Sequence, residues 1–356
     1  MLRKLLLLYR KIIYFIYGRK WIGLINYYRT CYVRNLPPKY NYDIVHPCIR
    51  YTEDPFRGFN WWMVFTPYYK ADSRMENPIL CHGVSENDEP PLVWEFEEVL
   101  AETPFTGYNS DPTMFFKEGK LHVYWRENDT LRTRRDGAYR GIYGVVLDAE
   151  NITYIDRPIL SEHEKYVDRE VSPTFLFLNE DWFCYAPHIR FKIEKLIFPN
   201  KRINKIVGRI LQILSLLEIY SDQKSYGLAI WKHSDADTFE YKKTVKFKNC
   251  NKLYKPWHCD FFEYENQLYV LLQTNQSNSD ICLGVSKDFE NFTLFTKPLL
   301  TSKSISKVGI YKSTGGVHNG HLYLYYTAQD SNNRGVNQLY SAGFNFKELI
   351  QKLEKK

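Results

Sequence analysis

No phosphate loop, no dinucleotide glycine fingerprint and no HExxH pair occurs in the 356 residues of this chain. Nothing in it therefore cradles a nucleotide phosphate on a helix N-terminus or sets two imidazoles one helical turn apart for zinc. Cysteine is scarce and unpatterned. The seven cysteines are an odd number at irregular spacings with no CxxC, which argues against a disulfide framework and a thiolate zinc site and favours a reducing compartment, the cytoplasm. Long apolar runs are missing near the start as well. Leu5–Leu8 and Ile12–Tyr17 are too short to cross a bilayer, and no small-residue cleavage site follows them. In a chain read as having no secretion signal, the sequons at Asn128, Asn151, Asn275 and Asn291 carry little weight. No loop is rich enough in oxygen ligands to demand calcium.

What the sequence has in abundance is aromatic residues in a repeated setting. Five times a polar start leads into a short apolar strand, a tight polar turn and an aromatic-rich strand. The copies run from His46-Pro47 through Gly58-Phe59-Asn60 to Trp61–Phe65, from Ser110-Asp111-Pro112 through Glu118-Gly119-Lys120 to Leu121–Trp125, and from Ser172-Pro173 through Asn179-Glu180-Asp181 to Trp182–Tyr185. The fourth goes from His258-Cys259-Asp260 through Glu265-Asn266-Gln267 to Leu268–Leu272, and the fifth from Tyr311-Lys312-Ser313 through His318–His321 to Leu322–Tyr326. Weakly similar units of roughly 50 to 65 residues predict a radially repeated sheet protein. The expected fold is all-β, a five-bladed β-propeller over residues 41–344 with four strands per blade, followed by a helical tail at 345–356. The aromatic share of 17% then has two readings: rings packed between blades as ordinary core, and a minority at a mouth that stacks on sugar rings.

The net charge of +7 is concentrated near the start and around residues 190–210. Arg3, Lys4, Arg10 and Lys11 fall on one helical stripe, roughly opposite Leu5, Ile12 and Ile16. Residues 1–40 therefore read as an amphipathic helix followed by a linker with Pro37-Pro38. In the third unit an insert, 190–222, sets Lys201, Arg202, Lys205 and Arg209 against Ile203, Ile206, Ile210, Leu214 and Leu217 at helical spacing. Two basic amphipathic helices predict peripheral attachment to the inner membrane face through residues 1–20 and 191–220. Packing of these helices on each other, on the propeller wall or on a second subunit is the alternative. No aromatic and basic platform accompanies them, so no nucleic-acid partner is expected.

In a propeller the innermost strand of each blade lines the central channel, and its first residue shares a face with the loop between the second and third strands. The groups that converge on that mouth are His46, Asp111, Glu170 with Ser172, His258 with Asp260, and Tyr311-Lys312-Ser313 from the strand starts. The second-to-third loops add Tyr68 through Glu76-Asn77, Arg126-Glu127, His188, Gln273 to Asn275, and Gln329-Asp330. Carboxylates, imidazoles, amides and two cations together can do acid and base work on a polyhydroxylated ligand. Capping of turns by the same Asp, Ser and Asn side chains is the structural alternative.

The run His46-Pro47, Trp62-Met63, Thr66-Pro67-Tyr68, Glu76-Asn77-Pro78, Ser110-Asp111-Pro112, Tyr124-Trp125-Arg126-Glu127, Ser172-Pro173, Trp257-His258-Cys259-Asp260 and Ile310-Tyr311-Lys312-Ser313 resembles the five-bladed propellers of the glycoside hydrolase superfamily. That group includes the arabinanase and xylosidase family, the invertases and the mannoside phosphorylases, and the resemblance is to its bacterial and phage members in particular, over roughly residues 44–344. It implies a carbohydrate substrate and three acids at the starts of the first three blades: a base Asp, an orienting Asp and an acid Glu. The second falls on Asp111. The third falls on Glu170, three residues before Pro173 where the family's Glu usually stands two before a proline. The first is replaced by His46. Asp111, Glu170 and His46 are thus the expected catalytic residues, with Glu76, Asn77, Arg126, Glu127, His188, Trp257, His258, Asp260, Tyr311 and Lys312 expected to bind substrate. The resemblance also implies, for some relatives, a calcium ion held through a histidine and waters, a role open to His258 or Asp260. An inverting hydrolase needs a carboxylate base, and a histidine in its place leaves phosphorolysis, glycosyl transfer and non-catalytic glycan binding as alternatives, with Arg126, Lys312 and His258 able to hold a phosphate or an acidic sugar.

Overall fold

Each of the five repeated phrases folds as a hairpin on a two-residue turn whose central residues both have positive φ. The turns are Arg57-Gly58 (48° and 84°), Glu118-Gly119 (53° and 71°), Asn179-Glu180 (49° and 67°), Glu265-Asn266 (49° and 57°) and Asn319-Gly320 (49° and 73°). Positive φ at both positions matches the right-handed twist of the flanking strands, and Asn and Gly adopt it at the least cost. The flanking residues pair directly, as in Lys117 with Lys120 and His318 with His321.

The computed structural model describes residues 27–40, 43–69, 72–85, 88–104, 107–129, 140–155, 168–170, 172–190, 203, 226–233, 239–249, 256–274, 280–301, 308–330 and 333–355. They form five sheets, one per repeat. Blade I holds Val45–Phe56, Phe59–Thr66, Ile79–Val84 and Val93–Val99, with Tyr32–Arg34 added in parallel at its outer edge. Blade II holds Gly107–Lys117, Lys120–Asp129, Arg140–Leu147 and Ile152–Ile155. In blade III the inner strand is split into Asp168–Glu170 and Thr174–Leu178, both paired with Asp181–Arg190, and Tyr226–His233 and Phe239–Val245 follow. Blade IV is built on Pro256–Tyr264, Gln267–Thr274 and Asp280–Ser286, blade V on Val308–His318, His321–Asp330 and Asn333–Asn345. The outer strand of blade V is Tyr27–Thr30, paired antiparallel with Asn333–Asn345.

That last pairing joins the two ends of the sheet-forming chain and closes the ring. It also corrects the sequence reading, because the sheet already begins at Tyr27, inside the segment read as helix and linker. An edge strand that pairs with a partner some 300 residues away has no hairpin turn beside it, so no local signal marks it. The amphipathic helix expected at 1–20 lies outside the described residues, and so does nearly all of the 190–222 insert. Among the described residues no helix is long and apolar enough to cross a membrane. The C-terminal helix Phe346–Glu354, capped by the Asn345 side chain on the Glu348 amide, buries Phe346, Leu349 and Leu353 against blades IV and V.

The core is divided into five clusters, one at each contact between neighbouring blades. Trp62, Val64 and Leu80 meet Met114, Val123 and Trp125 between blades I and II. Phe115 and Tyr124 meet Phe175 and Trp231 between II and III, and Tyr185 and Ile230 meet Phe261 and Val270 between III and IV. Leu271 and Leu283 meet Leu322 and Leu324 between IV and V, and Tyr323 and Tyr325 meet Trp61 and Trp94 between V and I. Aromatic side chains suit this role, since each sheet has both faces covered and the gap between splayed blades needs large rings. Most of the tyrosine-rich repeat is therefore core. None of the described cysteines forms a disulfide, and all of them are buried.

The channel is crosslinked by polar groups from opposite blades. Arg50 of blade I reaches Asp260 of blade IV in a two-pronged pair, at 2.9 Å through one guanidinium nitrogen and 2.6 Å through the other. The Thr314 hydroxyl of blade V donates to the same carboxylate at 2.6 Å while accepting the Ile49 amide at 3.0 Å. Lys312 of blade V donates to the Pro112 carbonyl of blade II at 3.1 Å.

Candidate active site at the channel mouth

The starts of the inner strands share a backbone irregularity that delivers side chains to the mouth. In blade I the pairing steps from Val45–Thr66 to Cys48–Val64, so His46 and Pro47 together oppose a single residue. Blade II repeats this, stepping from Ser110–Arg126 to Thr113–Tyr124 around Asp111-Pro112. Blade III breaks its inner strand at Ser172-Pro173. Proline has no N–H to give to a ladder and is tolerated at such a bulge. The residue before it is forced into the left-handed region in all three blades: φ is 52° at His46, 54° at Asp111 and 50° at Ser172. Such positions cost on the order of 1–3 kcal/mol each and concentrate at functional sites. Blades IV and V carry shifts of register around Trp257 and Tyr311.

Asp111 lies at the centre and is fully buried. Arg126 pairs with its Oδ2 at 2.9 Å, the Ser172 hydroxyl donates to its Oδ1 at 2.8 Å, and His46 Nε2 and His258 Nδ1 each stand 3.4 Å from that Oδ1. Ser172 Oγ also makes a close contact with His258 Nδ1. Arg126 is held in place by a different serine, donating to Ser110 Oγ at 2.9 Å. Burial alone would raise the Asp111 carboxyl, but the facing His46 imidazole, the Arg126 guanidinium and the hydrogen bond with His258 outweigh it and hold it well below the usual carboxylate range. Asp111 is therefore ionised.

Burial has the opposite consequence for the neighbouring groups. It pushes His46 down to about 3, against the pull of Asp111, and lowers His258 as well. Both imidazoles are neutral at physiological pH. Glu76, with its Oε1 3.7 Å from His46 Nδ1, is raised well above the ordinary carboxyl range by burial and by the Asp111 charge, with Arg126 opposing. The ring of His46 is fixed through a 3.0 Å contact of Nδ1 with Thr66 Oγ1. Two carboxyl groups in one buried cluster are thus driven apart in proton affinity, which is the arrangement acid and base work requires.

Around this floor stand half-buried aromatics. Tyr311 places its hydroxyl 3.4 Å from His46 Nε2 and its ring 4.7 Å from that of His258. Trp257 meets His258 edge-on at 5.8 Å between centroids. Arg126 lies over the Tyr108 ring, and Tyr68 lies within electrostatic reach of Glu76 and Tyr108.

Of the residues expected from sequence, the structure brings together His46, Glu76, Asp111, Arg126, Trp257, His258 and Tyr311. Lys312 is buried just below them, tied to Pro112. Asn77 sits apart from them: its amide donates to Tyr40 and Glu102 and accepts the Thr103 N–H, so all of it is spent on stapling a loop. Glu127 follows Arg126 along a regular strand, and the pleat turns it to the opposite face. Asp260 is engaged by Arg50 and Thr314 inside the channel. The backbone of Glu170 pairs with that of His188 at the mouth end of blade III, and the side chains of both lie outside the described residues. Ser172, Thr66 and Arg50 carry more of the network than the sequence reading assigned them. The signal for Ser172 was present: it precedes a proline, as His46 and Asp111 do.

A calcium ion does not fit this donor set. Calcium takes six to eight oxygen ligands, whereas among the described residues Asp111 is faced by two imidazoles, a guanidinium and the Ser172 hydroxyl, with Glu76 as the one further carboxyl, and both oxygens of Asp260 are already engaged.

No family model matches the sequence and no curated protein matches it. Similarity appears in three dimensions. An N-acetylgalactosamine deacetylase from F. plautii, solved with blood group B trisaccharide, superposes with a TM-score of 0.61 over 94% of this chain and 96% of that one, at 16% identity. The RS223 β-xylosidase matches at a TM-score of 0.56 over 90% and 95% of the two chains with 11% identity, and a B. megaterium levansucrase mutant at 0.55 over 85% and 82% with 10% identity. At these identities the likeness establishes the fold. The chain is a five-bladed β-propeller of the kind found in glycoside hydrolases and related enzymes that handle sugars.

Proposed function

We propose that the protein is a carbohydrate-active enzyme of the hydrolase type whose reaction takes place over Asp111. The observation that carries this reading is the triplet of left-handed, proline-preceding residues in blades I–III. Backbone strain at His46, Asp111 and Ser172 aims three polar side chains at one buried point. Stability alone gives no reason to repeat that strain. Asp111 supplies the fixed negative charge, Arg126 and Ser172 orient it, and Glu76 is the second carboxyl. Glu170 is proposed as a third acid, since its strand ends at the same mouth. Tyr68, Tyr108, Trp257 and Tyr311 offer ring faces and hydroxyls to a sugar, the use for which half-exposed aromatics around a polar floor are suited. The fold neighbours support the substrate class, since the proteins they represent act on sugars.

Cleavage of a glycosidic bond is the first form of this activity. A second, removal of an acyl group from a sugar, is favoured by His46 standing where a glycosidase base would be and by the deacetylase among the fold neighbours. Mass spectrometry of products on a panel of neutral, N-acetylated and acidic oligosaccharides, with and without phosphate, separates the outcomes. Hydrolysis adds water across a linkage, phosphorolysis yields a sugar phosphate, deacylation shortens a substituent, and a binding module changes nothing. A panel on which the protein forms no product and binds nothing would overturn the proposal.

The setting we propose is surface-polysaccharide metabolism at the cytoplasmic face of the membrane, on a free or lipid-linked glycan. The basic amphipathic patterns at 1–20 and 191–220 support it. Removing residues 1–26 should shift the protein from the membrane to the soluble fraction of a cell lysate; a full-length protein that is already soluble would contradict the assignment. The cut must stop before Tyr27, which begins the strand that closes blade V.

A further inference from the structure

We propose that His46, Asp111 and His258 together bind a divalent metal ion of the zinc class at the floor of the mouth. One donor atom from each of the three lies within 4.8 Å of the other two, and all three residues are buried. The spacing is informative. His46 Nε2 stands 3.4 Å from Asp111 Oδ1, longer than the roughly 2.7–2.9 Å of a direct charge-assisted hydrogen bond. Metal–ligand distances of about 2.0–2.1 Å place neighbouring donors of a tetrahedral shell about 3.3–3.4 Å apart. The gap between the His46 imidazole and the carboxylate is thus the gap a shared ion leaves.

Three further observations point the same way. His258 Nε2 is buried, in a residue only 1% exposed, and has no hydrogen-bond partner among the described residues; with Nδ1 against Ser172, it is the nitrogen left to ligate an ion. The surroundings orient the donors as the outer contacts of metal sites do: Thr66 touches His46 Nδ1, Ser172 bridges Asp111 and His258, and Arg126 takes the Oδ2 of Asp111, leaving Oδ1. The ligand types select the ion, because two imidazoles and one carboxylate suit zinc and its neighbours and disfavour calcium. Asp111 offsets the positive charge of Arg126. Three protein ligands leave a coordination position open, and a bound ion would lower the pKa of water there toward neutrality. This would supply the nucleophile that the missing carboxylate base cannot.

Direct metal binding tests the proposal without reference to turnover. Full-length protein is stripped with EDTA, dialysed, and titrated separately with Zn2+ and Ca2+, with bound metal counted by plasma mass spectrometry. One zinc per chain is expected, with a higher melting temperature in Zn2+ than in Ca2+, and an affinity at least tenfold weaker in both His46→Ala and His258→Ala. Absence of stoichiometric zinc, or undiminished affinity in the double variant, overturns it. Should the variants fail to fold, X-ray absorption at the zinc edge of the wild type decides: two imidazoles in the shell support the site, and fewer, or sulfur ligands, refute it. Zinc bound as described by a protein that neither turns over nor binds any glycan would overturn the glycan reading and leave this one standing.

Discussion

Replacing Asp111 by asparagine should lower turnover by about 10²- to 10⁴-fold, the range over which a positioned acid–base or charge-stabilising group acts. The amide keeps the shape of the side chain and retains an oxygen that can accept from Ser172 or Arg126, so the network around it has a substitute. What disappears is the negative charge that His46, Arg126 and His258 are arranged to face. Circular dichroism should show the sheet content intact, and glycan affinity should fall much less than the rate. An Asp111→Asn protein with wild-type kcat would remove Asp111 from the chemistry. A protein that no longer folds would show instead that Asp111 serves the ring, and Ser172→Ala, which removes the hydroxyl between Asp111 and His258 but no charge, would then report on the site.

The largest effect on stability is expected at the channel crosslink. Arg50→Ala would leave the Asp260 carboxylate buried, with the Thr314 hydroxyl but without its cation. Breaking a buried pair by removing one partner costs about 3–5 kcal/mol, because the remaining charge is neither hydrated nor compensated. For a chain of this size a loss of that order corresponds to a fall in melting temperature of roughly 4–7 °C. Replacing both residues, as Arg50→Met with Asp260→Leu, should recover much of the loss, since no charge is then stranded. A single-variant loss below about 1 kcal/mol in denaturant titration, the value of an exposed pair, would mean that water reaches the channel and that the crosslink is not sealed.

Legibility from sequence followed the range of the interaction. The hairpins were readable because their determinants are adjacent: a polar pair such as Asn319-Gly320 sits between two apolar strands, and five such pairs give five blades. Tyr27–Thr30 was not readable, because its partner is at the other end of the chain and its own neighbours carry no turn. Asp111 was recognised through its setting before a proline. Glu170 stands out in the sequence because it carries a carboxylate, whereas the property the backbone repeats is the bulge before proline, here at Ser172, whatever side chain it carries. The blade pattern puts Asn77, Asp260 and Lys312 near the mouth, and only the contacts reveal that a loop, a guanidinium and a carbonyl occupy them.

Product analysis of the wild type beside Asp111→Asn on the oligosaccharide panel tests the central claim most directly. The account expects at least one glycan to lose a glycosyl or acyl group in the presence of the wild type, and the same product to be nearly absent with the variant. A product formed equally by both proteins would contradict it, and so would a panel on which the wild type leaves every glycan unchanged and unbound.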